Sequence, residues 1–205
     1  MSKRVAAAHG NSVRKRRRLT REARYSQLID TAWKVIHEEG TDALSLGRLA
    51  EAAGITKPTV YEHFGSRHGL LTALYQDFDS RHGIMIDDAI AAGKPVLQDK
   101  ARVIASSYIL CVLNEGREIP GVLAALSGSP ELAEMRKKCQ HAFLEKCRQA
   151  LAPFLGTKTL SAAALWAMLG AADALASVAL SGEVSERQAC HELYEIILAM
   201  AHRAV

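Results

Sequence analysis

Two short helical segments on either side of a glycine, within residues 45–71, constrain this chain most. The segment reads SLGRLAEAAGITKPTVYEHFGSRHGLL, with Gly54 as the turn between the helices. Thr56 is placed to cap the second helix, in which Val60 and Phe64 face inward. Two short helices around a tight turn, the second rich in hydrogen-bonding side chains, are typical of a helix-turn-helix that reads the DNA major groove.

The charge of the chain is distributed unevenly. Residues 1–24 hold nine basic side chains against one acidic side chain, Glu22, whereas the remainder holds 17 basic and 21 acidic ones. A basic end on an acidic body predicts a polyanionic partner for that end. Nucleic acid is favoured over a membrane surface, because the basic segment carries neither an apolar anchor nor a lipidation signal.

The first 18 residues are predicted to form a basic, disordered arm, since residues 1–13 are small and polar. No apolar segment follows the charges as it would in a secretory signal. The longest apolar run, residues 162–172, is shorter than a membrane span and is followed by Asp173. We therefore predict a cytoplasmic protein with no membrane partner.

Helical periodicity runs through the sequence. Aromatic residues make up only 5% of the chain, and we find no alternating β-branched run long enough for a strand. We predict an all-α fold of about nine helices. It consists of the arm (1–18), an N-terminal three-helix helix-turn-helix domain (19–80) and a larger helical ligand-binding and dimerisation domain (81–205), with the boundary inside one long helix.

The four cysteines, Cys111, Cys139, Cys147 and Cys190, include no C-x-x-C pair, so a zinc site is not predicted. Reduced thiols in or near a helical core are favoured, with a redox switch as the alternative. A nucleophile elbow, a P-loop, an H-E-x-x-H pair and a dinucleotide fingerprint are all missing. We predict no catalytic residue, no metal and no cofactor.

The outward face of the second helix of the motif carries side chains that suit DNA. Its threonine, tyrosine and histidine side chains can contact phosphates or base edges, and the ring of Pro58 can contact a thymine methyl group. In the preceding helix Ser45 is the N-cap, and Arg48 stands where a capping glutamate or glutamine is usual. This choice favours a phosphate near that helix end, with an ordinary solvated arginine as the alternative.

Residues 20–75 resemble the N-terminal DNA-binding domain of TetR-family transcriptional regulators. The run A-G-I-T-K-P-T-V-Y-E-H-F-G-S-R-x-x-L-L, from Ala53 to Leu71, is very close to the pattern of that family. The resemblance implies a three-helix DNA-binding domain joined to a larger helical domain for ligand binding and dimerisation. It also implies a homodimeric repressor that leaves DNA when a small molecule binds.

The resemblance also assigns roles to particular residues. Arg67 stands where the family usually has a lysine close to a phosphate, and Ser45 lies at a helix end that touches the DNA backbone. Gly47 departs from the pattern, because relatives often have a longer side chain there that can reach DNA. The recognition-helix contacts carried over are Lys57, Pro58, Thr59, Tyr61 and His63. The complete set of predicted DNA contacts adds Ser45, Arg48, Thr56 and Arg67, together with Arg14, Lys15, Arg16, Arg17 and Arg18 of the arm.

The basic run of the arm directly precedes the first helix. We predict that it extends into the minor groove or along phosphates, which adds affinity more than sequence information. A solubilising tail is the alternative.

The ligand cavity is predicted among the helices from Val96 onward, where some side chains combine apolar bulk with polar groups. The candidate residues are Tyr108, Cys111, Asn114, Phe143 and Trp166. Each of them is also compatible with a plain core position. Asp173 lies in an apolar helix and needs a partner, for which a structural hydrogen bond is favoured over a ligand contact.

The last two helices, at 159–180 and 185–203, are predicted to pair with their copies across a two-fold axis. The first is rich in Ala, Ser and Gly, which let helices approach closely. The second carries an apolar stripe that a monomer would struggle to cover and that a four-helix interface would bury. The stripe consists of Ala189, Leu193, Ile196, Ile197 and Met200.

Together these features predict a homodimeric, sequence-specific repressor on a near-palindromic, double-stranded operator. A small-molecule effector of unknown identity would release it by changing the spacing of the two recognition helices. An architectural or non-specific DNA-binding protein without an effector is one alternative, and an activator of the same family is another. An enzyme is not predicted.

Overall fold

A computed structural model describes residues 19–114 and 118–204 of the chain. These residues form nine α-helices and two 3₁₀ turns, with no strand among them. The predicted all-α architecture, a helix-turn-helix unit followed by a larger helical body, is confirmed. The helices are α1 (Arg21–Glu39), α2 (Leu46–Ala53), α3 (Lys57–Phe64), α4 (Arg67–Ala92), α5 (Leu97–Asn114), α6 (Glu118–Ala125), α7 (Pro130–Leu151), α8 (Ala162–Ser181) and α9 (Glu186–His202), and the 3₁₀ turns are Thr41–Ala43 and Ala152–Phe154.

Local sequence sets the ends of α2 and α3. The Ser45 hydroxyl accepts a hydrogen bond from the Arg48 amide at 3.1 Å, which satisfies one free donor of the first turn of α2. Gly54 ends α2 with φ at 64°, a left-handed conformation that favours glycine. Pro58 lies in the first turn of α3, where its missing N–H costs little.

The core of the helix-turn-helix unit extends beyond the first four helices. Leu28, Leu49 and Val60, from α1, α2 and α3, are fully buried in one apolar cluster. The same cluster contains Leu126, just after α6, and Leu132 of α7. The unit that presents α3 is therefore stabilised in part by residues far along the chain.

Helix α4 joins the two parts of the molecule without interruption, and the predicted boundary near residue 80 falls inside it. Leu70, Leu71 and Leu74 belong to the N-terminal cluster, whereas Ile90 packs on the C-terminal one. At its start, a Cβ on Gly69 would lie 2.1 Å from the carbonyl oxygen of Phe64. A glycine is therefore required where α3 turns into α4.

The C-terminal body is built around α5, which packs against α9, α8, α4 and α7. Its core includes Ile104, Leu151 and Met168. Of the apolar stripe of α9, Ala189, Leu193, Ile197 and Met200 are buried within this single chain, and only Ile196 is partly exposed. The prediction that a monomer could not cover this stripe was wrong, because α5 and α8 already do so.

Helix α8 presents the apolar surface that a single chain leaves uncovered. It is 20 residues long and continues past Asp173, so it exceeds the run of 162–172 on which the sequence prediction relied. By length and composition alone it is the one described helix that could cross a membrane, and only 28% of its most apolar 18-residue window is buried. A partly buried core helix passes the same test, so this is weak support for a membrane span.

Candidate nucleic-acid interface and ligand cavity

The two faces of α3 are clearly separated. Val60 and Phe64 are buried against α1, α2 and α4, as the sequence predicts. Tyr61 points outward and is 54% exposed, which is unusual for so large an apolar ring. Lys57 and Pro58 are also exposed, whereas Thr59 and His63 are half-buried. The short helix thus offers a polar and aromatic surface to an external partner.

Tyr25 of α1 is a member of this surface that sequence reasoning missed. Its ring lies 6.2 Å from that of His63 and 5.6 Å from that of Phe64, between centroids. Burial raises the pKa of its hydroxyl group, and the carboxylate of Asp77 acts in the same direction. The ring orients His63, and only the packing angle between α1 and α3 places it there.

Gly47 allows Lys57 to lie over α2. A Cβ at position 47 would be 3.5 Å from Cε and 3.6 Å from Nζ of Lys57, an ordinary contact distance. The glycine that departs from the family pattern thus leaves space that the lysine stem occupies. The charged end of Lys57 remains at the exposed face of the motif.

Arg48 is held by an acidic partner rather than standing free. Its guanidinium donates to both carboxylate oxygens of Glu39, from Nε at 3.1 and 3.0 Å and from Nη2 at 2.5 Å. The hydrogen bonds from Arg48 hold the pKa of the Glu39 carboxyl group below its usual value. A phosphate would have to compete with Glu39 for this side chain, so the predicted DNA contact of Arg48 stays a prediction.

Arg67 fastens the loop between α1 and α2. Its Nε donates to the carbonyl of Leu44 at 2.7 Å, and its Nη2 to that of Thr41 at 2.8 Å. These bonds give it a structural role that the resemblance did not indicate. Its predicted phosphate contact is not tested by this arrangement. Arg14, Lys15, Arg16, Arg17 and Arg18 lie outside the described residues.

A cavity with two lobes lies between α4, α5, α7 and α8. The first lobe has a volume of about 170 Å³ and the second, which reaches α6, about 230 Å³. Both lobes share walls from three helices, so they form one elongated space. The shared residues are Tyr75, Phe78, Tyr108, Val112 and Gln140.

The structure places three of the five predicted ligand contacts at this cavity and two elsewhere. Tyr108, Cys111 and Phe143 line the first lobe. Asn114 is exposed at the end of α5 and lines neither lobe. Trp166 is 37% exposed on α8, with its ring against His141 at 5.3 Å. Residue type could not tell which face of each helix turns inward.

The hydrogen bond predicted for Asp173 is present. The hydroxyl of Tyr108 donates to its carboxylate at 2.5 Å. Burial, and then the charge of Asp173, raise the pKa of Tyr108, so its hydroxyl keeps its proton. Asp173 also lines the second lobe of the cavity, so the residue that accepts the Tyr108 hydrogen bond is itself part of the cavity wall.

Helix α4 contributes polar cavity walls that the sequence did not suggest. The buried His82 ring makes an edge-to-face contact with the Phe78 ring. The ring centroids are 3.7 Å apart and the ring planes meet at 88°. Burial, and secondarily the charge of Arg81, lower the pKa of His82 to about 4, so its ring is neutral at physiological pH. From α7, Lys146 Nζ donates to the Gly83 carbonyl at 3.0 Å and to Asp87 at 2.7 Å. These residues were missed because α4 was assigned mainly to the DNA-reading unit.

Comparisons with known proteins agree with this architecture. The profile of the family described as bacterial regulatory proteins, TetR family, matches residues 28–74. BetI, an HTH-type transcriptional regulator of Rhizobium meliloti, is 35% identical over 82 residues, which cover 40% of this chain and 39% of BetI. The class D tetracycline repressor of Escherichia coli is 40% identical over 57 residues, covering 28% and 24% of the two chains. The match thus spans less than half the length of these relatives.

The fold likeness extends over nearly the whole chain. A crystal structure of a TetR/AcrR-family regulator from Thermobifida fusca YX-ER1, 23% identical, superposes with a TM-score of 0.65. The likeness covers 85% of this chain and 96% of that one.

An exposed recognition helix in a helix-turn-helix unit, attached to a helical body, defines a DNA-binding protein of the transcription-regulator class. Residues 28–74 match the TetR-family DNA-binding domain, and the comparisons together support a TetR-family transcriptional regulator. These relatives are transcriptional regulators, which agrees with the prediction that this chain is not an enzyme.

Proposed function

We propose that this protein is a homodimeric repressor, acting in the cytoplasm, that a small molecule releases from a near-palindromic operator. The observation that carries the proposal is the outward face of α3, where Tyr61 is 54% exposed on a family-typical DNA-reading helix. Large exposed aromatic and basic side chains on a short, rigidly held helix suit contact with base edges and phosphates. The proposed contacts remain those predicted from the sequence.

The outer face of α8 supports the proposed dimer. Ala163, Ala167, Gly170 and Ala174 are exposed at helical spacing, and Trp166 is exposed beside them. Small residues let two helices approach closely, and an apolar face of this length is seldom left in water. Two copies related by a two-fold axis would present two α3 helices to half-sites about 34 Å apart.

Helix α4 supports the proposed release. Its first turns are part of the core that supports α3, while Phe78, His82 and Gly83 line the cavity. A ligand that favours a different position of α4 would shift α3 in each subunit. Operator affinity and ligand affinity would then be linked reciprocally.

The experiment that tests the proposal is a footprint on DNA upstream of the protein's own gene, with random-sequence competitor in excess. We expect a bounded footprint with wild type and an affinity at least about tenfold weaker for Tyr61→Ala. Helix content and the sedimentation of the dimer should be unchanged in this variant. Met85→Ala, which removes another exposed apolar side chain outside the motif, is the matched control.

Three outcomes would contradict parts of the proposal. Binding that competitor removes completely would favour the non-specific DNA-binding alternative. Equal operator affinity of Tyr61→Ala and wild type would mean that α3 is not the reading helix. Higher expression of the adjacent gene in the presence of bound protein would make it an activator.

A further inference from the structure

We propose that the effector is a cationic amphiphile, an amine or quaternary ammonium attached to an aromatic or alkyl body. This inference rests on the proposed function, because it names the ligand class of the cavity described above. Three features of the cavity carry it: aromatic walls, two carboxylates with uncharged neighbours, and a first-lobe lysine that is already engaged.

The walls of the cavity are rich in aromatic rings. Tyr108 and Phe143 face each other with centroids 5.2 Å apart, and Tyr75 and Phe78 are 6.3 Å apart. All four side chains line the first lobe. Aromatic faces bind apolar bodies and also attract cations, through the negative potential of the ring face.

Two carboxylates line the cavity, and each has an uncharged neighbour. Asp173 accepts from the Tyr108 hydroxyl at 2.5 Å, and Asp79 lies near the Cys139 thiol, whose pKa is raised by burial and then by Asp79. Among the described residues neither carboxylate forms an ion pair within 4.0 Å. A carboxylate has about four acceptor positions, so both retain capacity for a further donor.

The lysine of the first lobe is committed to acceptors of the protein itself. Lys146 is bound to Asp87 and to the Gly83 carbonyl, so two of its three donors and its charge already have partners. His82 is neutral. Arg136 lies at the second lobe near the Tyr75 hydroxyl, which is uncharged and does not neutralise its charge. Among the described residues of the first lobe, the charge left without an ion-pair partner is therefore that of Asp79.

The positions of the two carboxylates suit a ligand with a charged head and an apolar body. Asp173 is exposed and Asp79 half-buried, while both line the cavity. An ammonium head could bind either carboxylate and keep part of its hydration, which limits the desolvation cost. The body would extend along the aromatic rings shared by the two lobes.

The test compares three probes with one skeleton: 6-phenylhexylamine, 6-phenylhexan-1-ol and 6-phenylhexanoate. Calorimetry on the full chain without DNA measures the three affinities. We expect the ammonium to bind about tenfold tighter than the alcohol, and the carboxylate to bind most weakly. Equal or tighter binding of the carboxylate or the alcohol, or no binding of the amine, would overturn the proposed ligand class.

A charge-removing variant tests which residues are responsible. The double variant D79N/D173N keeps the size and one acceptor oxygen of each side chain, and we expect it to lose the preference for the amine over the alcohol. D88N, at an exposed aspartate of α4 that lines neither lobe, should keep the preference. A double variant that retains the preference would overturn the assignment, and if it does not fold, the wild-type probe series still decides the ligand class.

This experiment is separable from the test of the proposed function. Probe binding needs no DNA, and the operator footprint needs no probe. A specific footprint with no amine preference would contradict the ligand class and leave the regulator intact. An amine preference without any footprint would support the ligand class and contradict the sequence-specific regulator.

Discussion

The outer face of α3 and the cavity differ in how the largest polar side chains are hydrogen-bonded. On α3, the side chains of Lys57 and Tyr61 are exposed and form no hydrogen bond with the described residues, whereas the Thr59 hydroxyl forms a hydrogen bond with that of Thr56 at 3.0 Å. In the cavity, Tyr108 is bonded to Asp173 and Lys146 to Asp87 and Gly83. Lys57 and Tyr61 are thus available to an external partner, whereas the cavity has its own internal bonds with which a ligand would compete.

This difference fits the partners proposed for the two regions. DNA is a large and regular polyanion, so a preformed outward surface loses little entropy on binding it. A small molecule has few contacts, and it can change a protein only through bonds or packing that differ between two states. In the proposed mechanism, the internal bonds of the cavity would supply such differences, and α4 would carry them to the DNA-reading unit.

The largest effect is expected for Leu126→Ala, which tests whether the core of the DNA-reading unit extends to residues beyond α6. Leu126 follows α6 but is 1% exposed within the N-terminal cluster. Its truncation should lower the free energy of unfolding by about 2–5 kcal/mol. Hydrogen exchange should show the loss of protection in α1 and α2 as well as near α6.

The matched control is Leu151→Ala, which removes an equally buried leucine from the C-terminal cluster. We expect its loss of protection mainly in α5, α7 and α8. If Leu126→Ala left exchange in α1 and α2 unchanged, the core of the DNA-reading unit would not extend to Leu126.

The next effect concerns acid stability at the joint between the regions. Because burial lowers the pKa of His82, the folded protein binds a proton there less readily than the unfolded chain. This contribution is fully present above pH 6.5 and is lost as the pH falls towards about 4. Its size is about 3 kcal/mol.

Denaturant unfolding of wild type and His82→Gln between these two pH values measures the difference. We expect wild type to lose about 3 kcal/mol more stability on acidification than the variant. Parallel losses in the two proteins would mean that His82 is accessible to protons in the folded state.

The sequence predicted the recognition surface far better than the cavity. Gly54, Pro58 and Gly65 are local signals, because each sets a turn or a helix end whatever the rest of the chain does. The ends of α2 and α3, and their inward residues, therefore followed from the sequence. Tyr25 was missed because its position depends on the angle between α1 and α3.

The cavity depends on packing between distant helices, and its residues carry no local signal. Asn114 and Trp166 have suitable chemistry but lie on the wrong faces of α5 and α8. His82 and Lys146 line the cavity because α4 runs past α7 after leaving the DNA-reading unit. The apolar stripe of α9 was wrongly predicted to need a second copy for the same reason. The sequence did not show that α5 of the same chain packs against it.

A smaller effect is expected at the joint of α3 and α4. Gly69→Ala would place a Cβ 2.1 Å from the Phe64 carbonyl oxygen, so the backbone there must shift. We expect a loss of about 1–3 kcal/mol in the free energy of unfolding and weaker operator binding. Gly47→Ala is the control, since its Cβ meets nothing closer than 3.5 Å and alanine favours a helix. Equal stability of the two variants would contradict the close approach.

The smallest effect concerns the pair of Arg48 and Glu39, which decides whether α2 contributes to DNA binding. If Arg48 reaches a phosphate, Glu39 competes with the operator for its guanidinium. Glu39→Gln removes that negative charge and should raise operator affinity severalfold and steepen its dependence on salt by about one phosphate contact. Glu38→Gln removes the neighbouring exposed charge, which forms no hydrogen bond with Arg48, and should change the affinity less.

The pair also has a pH signature that separates the two roles. Arg48 lowers the pKa of Glu39, so the stabilising pair is present above the usual pKa of a glutamate and is lost as the pH falls through the lowered value. Competition between Glu39 and the operator phosphates for Arg48 should weaken in the same acidic range. The Glu39→Gln variant should not show this pH effect. Wild type, Glu39→Gln and Glu38→Gln could instead have the same operator affinity and the same salt slope. That result would show that Arg48 keeps its bond to Glu39 when DNA binds. Helix α3 would then be the main source of DNA contacts within the motif.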